Sequence, residues 1–434
     1  MSNSAAPKKQ LVLSAFVHQT PSHLNPGLFN FPGDQGRQYK NIQHWISLAK
    51  KLEAAKFHCI FFADVLAGYD VYKNSLQPAI EAGAQVAWNV VTSYLESAAR
   101  NFGLDTQIEH DERYNMAEEY MEVVYKLWEG SWRDDAVLPP DDPQRRYADS
   151  TRIREIKHQG KYYKVPGAHI CEPSPQRTPY IFQAGTSRAG KAFAARHAEA
   201  VFLGGSEPEL VKKQVVDIRA QAEKQGRDGR SVKIIAATLV IVAKTDEAAQ
   251  AKFQEYLKYG NGEGALALFG GFSGYNLDKY ADDQDVRFGY EPAVQTLVSS
   301  WAATVPGTDG LKWNKKTIAN YLMVGGMGNK IIGSVKTVAD ELERWVEVAD
   351  VDGFNFKFAT IPGTFDDIVD LLLPELRKRG IVWDDYAVKG GTFRETLSGA
   401  GNDSYFDQDS YFDQDSYFDQ DSYFDQNNFG DQDD

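Results

Sequence analysis

Cysteine is almost absent from this 434-residue chain: there are two, Cys59 and Cys171, and no C-x-x-C. That excludes a disulfide framework. No stretch reaches the ~18 consecutive apolar residues of a membrane helix, and the opening MSNSAAPKKQ lacks the apolar centre of a secretory leader. These absences lead us to expect a soluble, cytoplasmic protein with no membrane partner. The eight histidines form no H-x-x-x-H, and there is no G-x-S-x-G, no Walker-type glycine loop and no carboxylate pair placed for glycoside chemistry. No metal is expected. A basic stripe is missing too, which argues against nucleic acid. Residues 403–434 hold eleven aspartates and no Lys or Arg, so most of the net charge of −14 belongs to that tail. The body is close to neutral.

The tail consists of SYFDQD three times from Ser404 and then SYFDQN from Ser422. A six-residue polar and aromatic repeat with no apolar face buries too little to offset chain ordering, so 401–434 is expected to be a disordered, low-complexity segment. Hydrophobic residues make up 42% of the chain and aromatics 12%, enough for a substantial core in the remaining 400.

Near-continuous apolar strands alternate with amphipathic helices along that body. We read strands at Leu11–Phe16, Cys59–Val65, Val86–Thr92, Tyr180–Gln183, Ala200–Leu203, Lys233–Val242 and Gly353–Phe358. Helices between them carry inward faces at Trp45, Leu48, Ala49 and Leu52, at Ala117, Tyr120, Val124 and Leu127, and at Val338, Leu342, Trp345 and Val346. Thr337 with Asp340 reads as a capping-box start, and a last helix holds Ile368, Leu371 and Leu372 before Pro374. Such alternation predicts a parallel sheet covered by helices, of the TIM-like (β/α)8 kind, with active-site groups on the loops after each strand. Two stretches read as insertions. Residues 130–178 contain an extended pair around IREIKH and KYYKVPG, and 255–330 include the glycine-rich run GEGALALFGGFSGYNL, either a lid or a packed excursion.

The stretch PYIFQAGTSRAGKAFAARHAEAVFLGG (179–205) reads as strand, glycine turn, helix and strand, with Ala189, Ala192 and Phe193 on the helix's inner face. Gly185, Thr186 and Ser187 would stand at the positive end of that helix, where free N–H groups and hydroxyls suit a phosphate. Ser187 acting only as a helix cap is the plainer reading. Other polar groups also stand at strand ends: Asp64 in FFADV, Asn89 and Thr92 in WNVVTS. His110 and Tyr114 lie four apart at a helix entrance and can share a face. His18 and His23, on the loop after the first strand, are candidates for contact with the reacting molecules. His197 reads as a packed or surface helix residue.

The phrases FFADV, WNVVTSYLESAARNFG, EHDERYNMAEEYMEVVYKLWEGSWRDDA, HQGKYYKVPG, PSPQRTPYIFQAGTSRAGKAFAARHAEAVF and DELERWVEVADVDGFNF resemble the bacterial-luciferase-like flavin-dependent monooxygenases. Within them the chain is most similar to the nitrilotriacetate and dibenzothiophene-sulfone monooxygenase branch, over nearly all of residues 10–398. The resemblance implies a barrel that binds reduced FMN (FMNH2) and uses O2, through a C4a-peroxyflavin, to oxygenate an organosulfur or amine-type substrate. It also implies a separate NAD(P)H:flavin reductase as supplier, and barrels of this kind commonly pair as homodimers. Carried over by motif, Asp64 lies near the flavin ring, His110 and Tyr114 beside the cofactor, and Ser187 at the phosphate. An F420-dependent oxidoreductase is a third reading on the same barrel.

One departure stands out. After GAQ the chain runs directly into VAWNVVTS at Gln85–Val86, where the family continues with another βα unit. Seven strands stand where the barrel needs eight, a gap on the order of 50 residues. The barrel is thus expected to lack its third strand, through an altered gene model or a degenerate copy. The expectation is weak FMN binding and poor folding, and the alternative function is a catalytically impaired flavin- or anion-binding remnant or splice variant.

Overall fold

The computed structural model describes residues 8–63, 68–82, 92, 95–305, 308, 310–402 and 404–406. In chain order these form β1 (Val12–Val17), α1 (Ile42–Ala54), β2 (Cys59–Phe62), the short α2 (Gln77–Glu81) and α3 (Glu96–Asn101), and α4 (His110–Gly130). Then come β3 (His158–Gln159), β4 (Lys164–Val165), β5 (Phe182–Gln183), α5 (Arg188–His197), β6 (Ala200–Leu203), α6 (Pro208–Lys224) and β7 (Lys233–Ala243). The rest are α7 (Asp246–Tyr259), α8 (Gly262–Ser273), α9 (Pro292–Thr304), α10 (Lys315–Leu322), β8 (Asn329–Ser334), α11 (Val335–Ala349), β9 (Gly353–Lys357), α12 (Gly363–Asp367), α13 (Leu373–Lys378) and α14 (Phe393–Ser398). They divide into two compact units, one of residues up to 109 plus 182–386, the other of 110–181 plus the chain from 387.

In the first unit, β2-β1-β9-β7-β6-β5 pair in that order, every pairing parallel. Three strands separate β2 from β6, roughly 19 Å on a flat sheet. Yet the Phe61 and Phe202 rings on those two strands lie 4.6 Å apart. The sheet is therefore curled, and one face looks inward. Ser14, Phe16, Phe61, Phe182, Phe202 and Asn355 share that face; Ser14 Oγ donates to Asn355 Oδ1 at 2.8 Å, and the Phe182 and Phe202 rings stack at 4.9 Å. The alternate residues Leu13, Ala15, Val17, Phe354 and Phe356 pack outward against Leu48 and Leu52 of α1 and Trp345 of α11.

The sequence-read strands recur where they are described, with ends within three residues of the sequence reading: β1 shifts by one residue, β7 gains one, and β2, β5 and β9 are shorter. Val86–Val91, Asp64 and Val65 lie outside the described residues, as does the tail apart from Gly401, Asn402 and Ser404–Phe406. β8 is a parallel strand the sequence reading lacked, so the count of seven strands made from the sequence is one short. The eleven-residue β7 serves three neighbours, with Lys233–Ala236 paired to β6, Thr238–Ala243 to β8 and Ile235–Leu239 to β9. The glycine-rich run of 255–330 becomes the buried α8, whose Leu266, Leu268 and Phe269 join Trp301 and Trp313 in a second apolar cluster.

Several inward faces need correction. On α1, Leu48 and Leu52 are buried but Ala49 is exposed and His44 buried in its place. On α5 the buried residues are Gly190, Ala194, Ala195 and His197, and Ala192 is exposed. All-alanine periodicity fits more than one face, so tertiary contact selects it. The cap of α11 is Ser334, whose Oγ accepts from Thr337 N, so Thr337 lies inside the helix. Pro374 does not end the last helix; a wider π turn at Ile368–Leu372 absorbs the missing N–H and α13 continues to Lys378.

In the second unit α4 carries Met121, Val124 and Tyr125 inward, while Tyr120 is half-exposed. The hairpin β3–β4 is the extended pair read from the sequence, and Glu119 of α4 accepts from its turn at Tyr162 N (2.9 Å) and Tyr163 N (2.7 Å). A capping box opens α14, with Thr392 and Glu395 bonding each other's backbone N–H. Among the described residues no helix is long and apolar enough to cross a membrane.

Candidate functional site

The chain leaving β1 places an unusual density of polar groups under cover. His18, Thr20, Ser22, His23 and Asn25 are all buried, at 6% exposure or less. Asn25 fixes the loop: its Nδ2 donates to Phe358 O at 2.6 Å, and its Oδ1 accepts from Gly325 N at 2.7 Å. Lys357, on the inner face of β9, donates to Gly325 O (2.7 Å) and Met327 O (3.0 Å). Asn25 and Lys357 thus hold the 325–328 loop, whose Gly325, Gly326 and Gly328 take left-handed φ of 81°, 62° and 97°. Burial pulls the Lys357 ammonium down to about 7.

His18 and His23 face each other with ring centroids 5.6 Å apart, and Phe358 covers His18 at 4.6 Å. His23 Nε2 and Tyr69 Oη share a hydrogen bond of 2.7 Å whose proton follows the imidazole tautomer. Phe272 stacks beside His23 at 6.2 Å. The Tyr69 ring lies over Gly271 of α8, where an added Cβ would fall within 1.9 Å of it. Burial lowers the His23 pKa to about 4. Burial and then the neighbouring His23 take His18 well below its ordinary value, against a raising influence of the Thr20 backbone. Both imidazoles are therefore neutral at pH 7. Their surroundings are satisfied except at two atoms: His18 Nδ1 and Thr20 Oγ1 are buried without a hydrogen-bond partner of normal geometry. An unmet buried polar atom costs about 1–3 kcal/mol, so two on one short loop mark where a ligand's polar group belongs.

At the end of β5, Gly185 N bonds the Gln183 side chain at 2.7 Å, and Ser187 is the N-cap of α5, its Oγ accepting from Gly190 N at 3.0 Å. The capping role is therefore filled. The Ser187 hydroxyl keeps a proton to donate, and the N–H groups of Arg188 and Ala189 have no acceptor within the helix, a donor set that suits a phosphate. Thr186 is exposed, and Gly185 and Thr92 are half-buried. His110 and Tyr114 come together in the second unit, their rings 5.2 Å apart, with His110 Nδ1 2.6 Å from Asp111 Oδ1. Asp64 and Asn89 lie outside the described residues. His197 is buried against Phe193 at 4.7 Å, as a packed helix residue should be.

Sequence reasoning missed Tyr69, Asn25 and Lys357. Asn25 sits before Pro26 in a stretch that reads as a turn, and Lys357 is the one charged residue of the strand GFNFKF. That lone lysine was the available signal. Cys59 is half-buried, and burial pushes its thiol up to about 11, so it is no thiolate nucleophile.

A curled sheet of parallel strands, helices outside it and polar groups at the strands' carboxyl ends define a TIM-barrel-like enzyme architecture. The description luciferase-like monooxygenase matches residues 85–350, and the chain belongs to that family. Dimethyl-sulfide monooxygenase of Hyphomicrobium sulfonivorans is 42% identical, with 90% of this chain and 91% of that one covered. Long-chain alkane monooxygenase of Geobacillus thermodenitrificans is 39% identical over 91% of this chain and 95% of its own. The crystal structure of DmoA from Hyphomicrobium sulfonivorans superimposes with a TM-score of 0.84 at 40% identity, covering 91% of this chain and 94% of that one. By class, the chain is a flavin-dependent monooxygenase.

Proposed function

We propose that this chain is the oxygenase half of a two-component system, taking reduced FMN from a separate NAD(P)H:flavin reductase and using O2 to oxygenate a small organic substrate. An organosulfur or amine-type molecule is the first choice, because dimethyl-sulfide monooxygenase is the relative quoted above at 42% identity. The observation that carries the reading is the pair of unmet polar atoms, His18 Nδ1 and Thr20 Oγ1, at the carboxyl end of β1. Bound FMN in its reduced form supplies the activation of O2. The remaining work belongs to the chain. Asp64, Asn89, Thr92, His110 and Tyr114 orient the flavin, and Gly185, Thr186 and Ser187 hold its phosphate. His18, neutral and dry, offers or accepts one proton at Nδ1. His23, tied to Tyr69, keeps that ring in place, while Phe358 and Phe272 exclude water.

The test is product formation from dimethyl sulfide with an added flavin reductase, NADH and O2. Oxygenated product in step with NADH consumption is the expected result. NADH consumed with hydrogen peroxide as the sole product sinks the reading.

A specific observation favours the second reading, a catalytically impaired flavin-binding remnant. Alignment with dimethyl-sulfide monooxygenase runs over 442 positions, yet uses 90% of a 434-residue chain, so about 50 positions face no residue here. The family match also begins at residue 85, at the Gln85–Val86 junction. Both support the loss of one βα unit, which would remove a wall of the flavin pocket. Stoichiometric, tight FMN binding by this chain would count against it.

A further inference from the structure

The first tail repeat is seated. In the second unit Tyr405 stacks on Tyr125 of α4, with ring centroids 5.4 Å apart and planes inclined by 23°, and their hydroxyls are 3.1 Å apart. Phe406 meets the same ring edge-on at 5.1 Å. Arg394 completes the platform. It is buried at 2% exposure, donates through Nη2 to Thr178 O at 2.9 Å, and places its guanidinium 5.8 Å from the Tyr180 ring and 5.9 Å from the Tyr405 ring. The bonds from Arg394 to Thr178 O and from Arg394 N to the Gln176 side chain lie outside the tail and help to fix the surface that receives Tyr405.

The sequence supplies more ligands than the platform can take. Ser-Tyr-Phe recurs at 404, 410, 416 and 422 with the same six-residue spacing and the same acidic flank. Each unit carries the chemistry that Tyr405 and Phe406 use. Among the described residues one such platform is seen, against four Ser-Tyr-Phe units in the sequence.

We propose that the Tyr125–Arg394 platform is a docking site for Ser-Tyr-Phe units, and that the tail links copies of this chain by placing a unit on the platform of a second copy. A single aromatic pair with a cation at its edge is a weak contact. The chain's own units compete at the high effective concentration of a short tether, so docking between copies grows with protein concentration. Looping out six residues to shift the register within one chain costs little, because closure entropy rises slowly with length. On this proposal the four units compete for the platform, and a unit of one copy can take the platform of another.

The test uses the full chain in two forms. One is unchanged. The other carries Tyr405→Ser and Phe406→Ser with the same changes at Tyr411, Phe412, Tyr417, Phe418, Tyr423 and Phe424, which touch only the tail. Sedimentation velocity over a hundredfold concentration range should show mass-average growth in the unchanged chain and less in the substituted one. A labelled peptide of residues 404–427 should bind the substituted chain saturably, at least tenfold more tightly than it binds the unchanged chain, whose own units compete. Adding Tyr125→Ala to the substituted chain should weaken that binding at least tenfold, while Tyr125→Phe, which keeps the ring, restores most of it. Identical concentration dependence of the two chains overturns the proposal, whether both associate or neither does. Equal binding of a scrambled peptide overturns it too.

Discussion

At the scale of single residues, His18 and Ser187 each carry two roles that substitution can separate. His18→Phe removes a buried polar atom that lacks a hydrogen-bond partner of normal geometry and keeps a ring packed on Phe358. It should leave the melting temperature nearly unchanged, while lowering product formed per FMNH2 consumed by tenfold or more and shifting flavin affinity less than threefold. Product yield measured against flavin titration checks this. Ser187→Asp keeps a good N-cap, since Asp and Ser cap about equally well, but sets a negative charge against a phosphate. FMN affinity should fall at least tenfold with thermal stability retained, and riboflavin, which lacks the phosphate, should be spared. Equal loss for both flavins would leave Ser187 only its capping role. The buried histidines also fix a pH response. His23 is neutral in the folded chain down to about 4, against an ordinary 6.5. The unfolded chain therefore binds more protons between those values, and stability rises with pH across that window. His23 alone contributes about 3 kcal/mol by the free energy of such a shift. Urea denaturation at pH 4.5 and 6.5 should show the midpoint climbing, and His23→Gln should flatten the climb.

At the scale of elements, α11 shows how a cap is misplaced from sequence. Two hydroxyls three residues apart, Ser334 and Thr337, both precede the apolar face, and the sequence does not say where β8 stops. Because β8 runs to Ser334, the helix begins there. Ser334→Ala should cost about 1 kcal/mol and Thr337→Ala only a few tenths, a difference that chemical denaturation resolves. The same dependence on neighbours explains β8 itself. NKIIGS is too short and too polar to declare itself as a strand. It exists because β7, eleven residues long, leaves Thr238–Ala243 for it to pair with. Strands β6 and β7 were legible because their residues are mostly apolar on both faces, as a covered parallel sheet permits, and β1 and β9 because of the apolar row Leu13, Ala15, Val17, Phe354 and Phe356 on their outward face. The inner face of α5 was not, since a helix rich in Ala and Gly has no single apolar stripe.

At the scale of the whole molecule, the junction at Gln85–Val86 is the lever. Inserting one βα unit between those residues, on the order of 50 residues with its flanking helix, should raise FMN affinity at least tenfold and sharpen the thermal transition. Binding by flavin fluorescence quenching together with calorimetry checks it; an unchanged affinity would mean that the pocket does not depend on that unit.

The sequence by itself determined the fold class, the family and the candidate turn at Gly185–Ser187, because those rest on local periodicity and on ordered motifs a reader can count. Only the tertiary structure decided that His18 and His23 face each other, that Tyr69 rests on Gly271 to meet His23, and that Asn25 and Lys357 share one glycine loop. Those contacts join residues up to some 330 positions apart. They exist only once a curled sheet brings the ends of its strands together, and neither the curl nor the burial that silences a histidine's charge is written in any short stretch of chain.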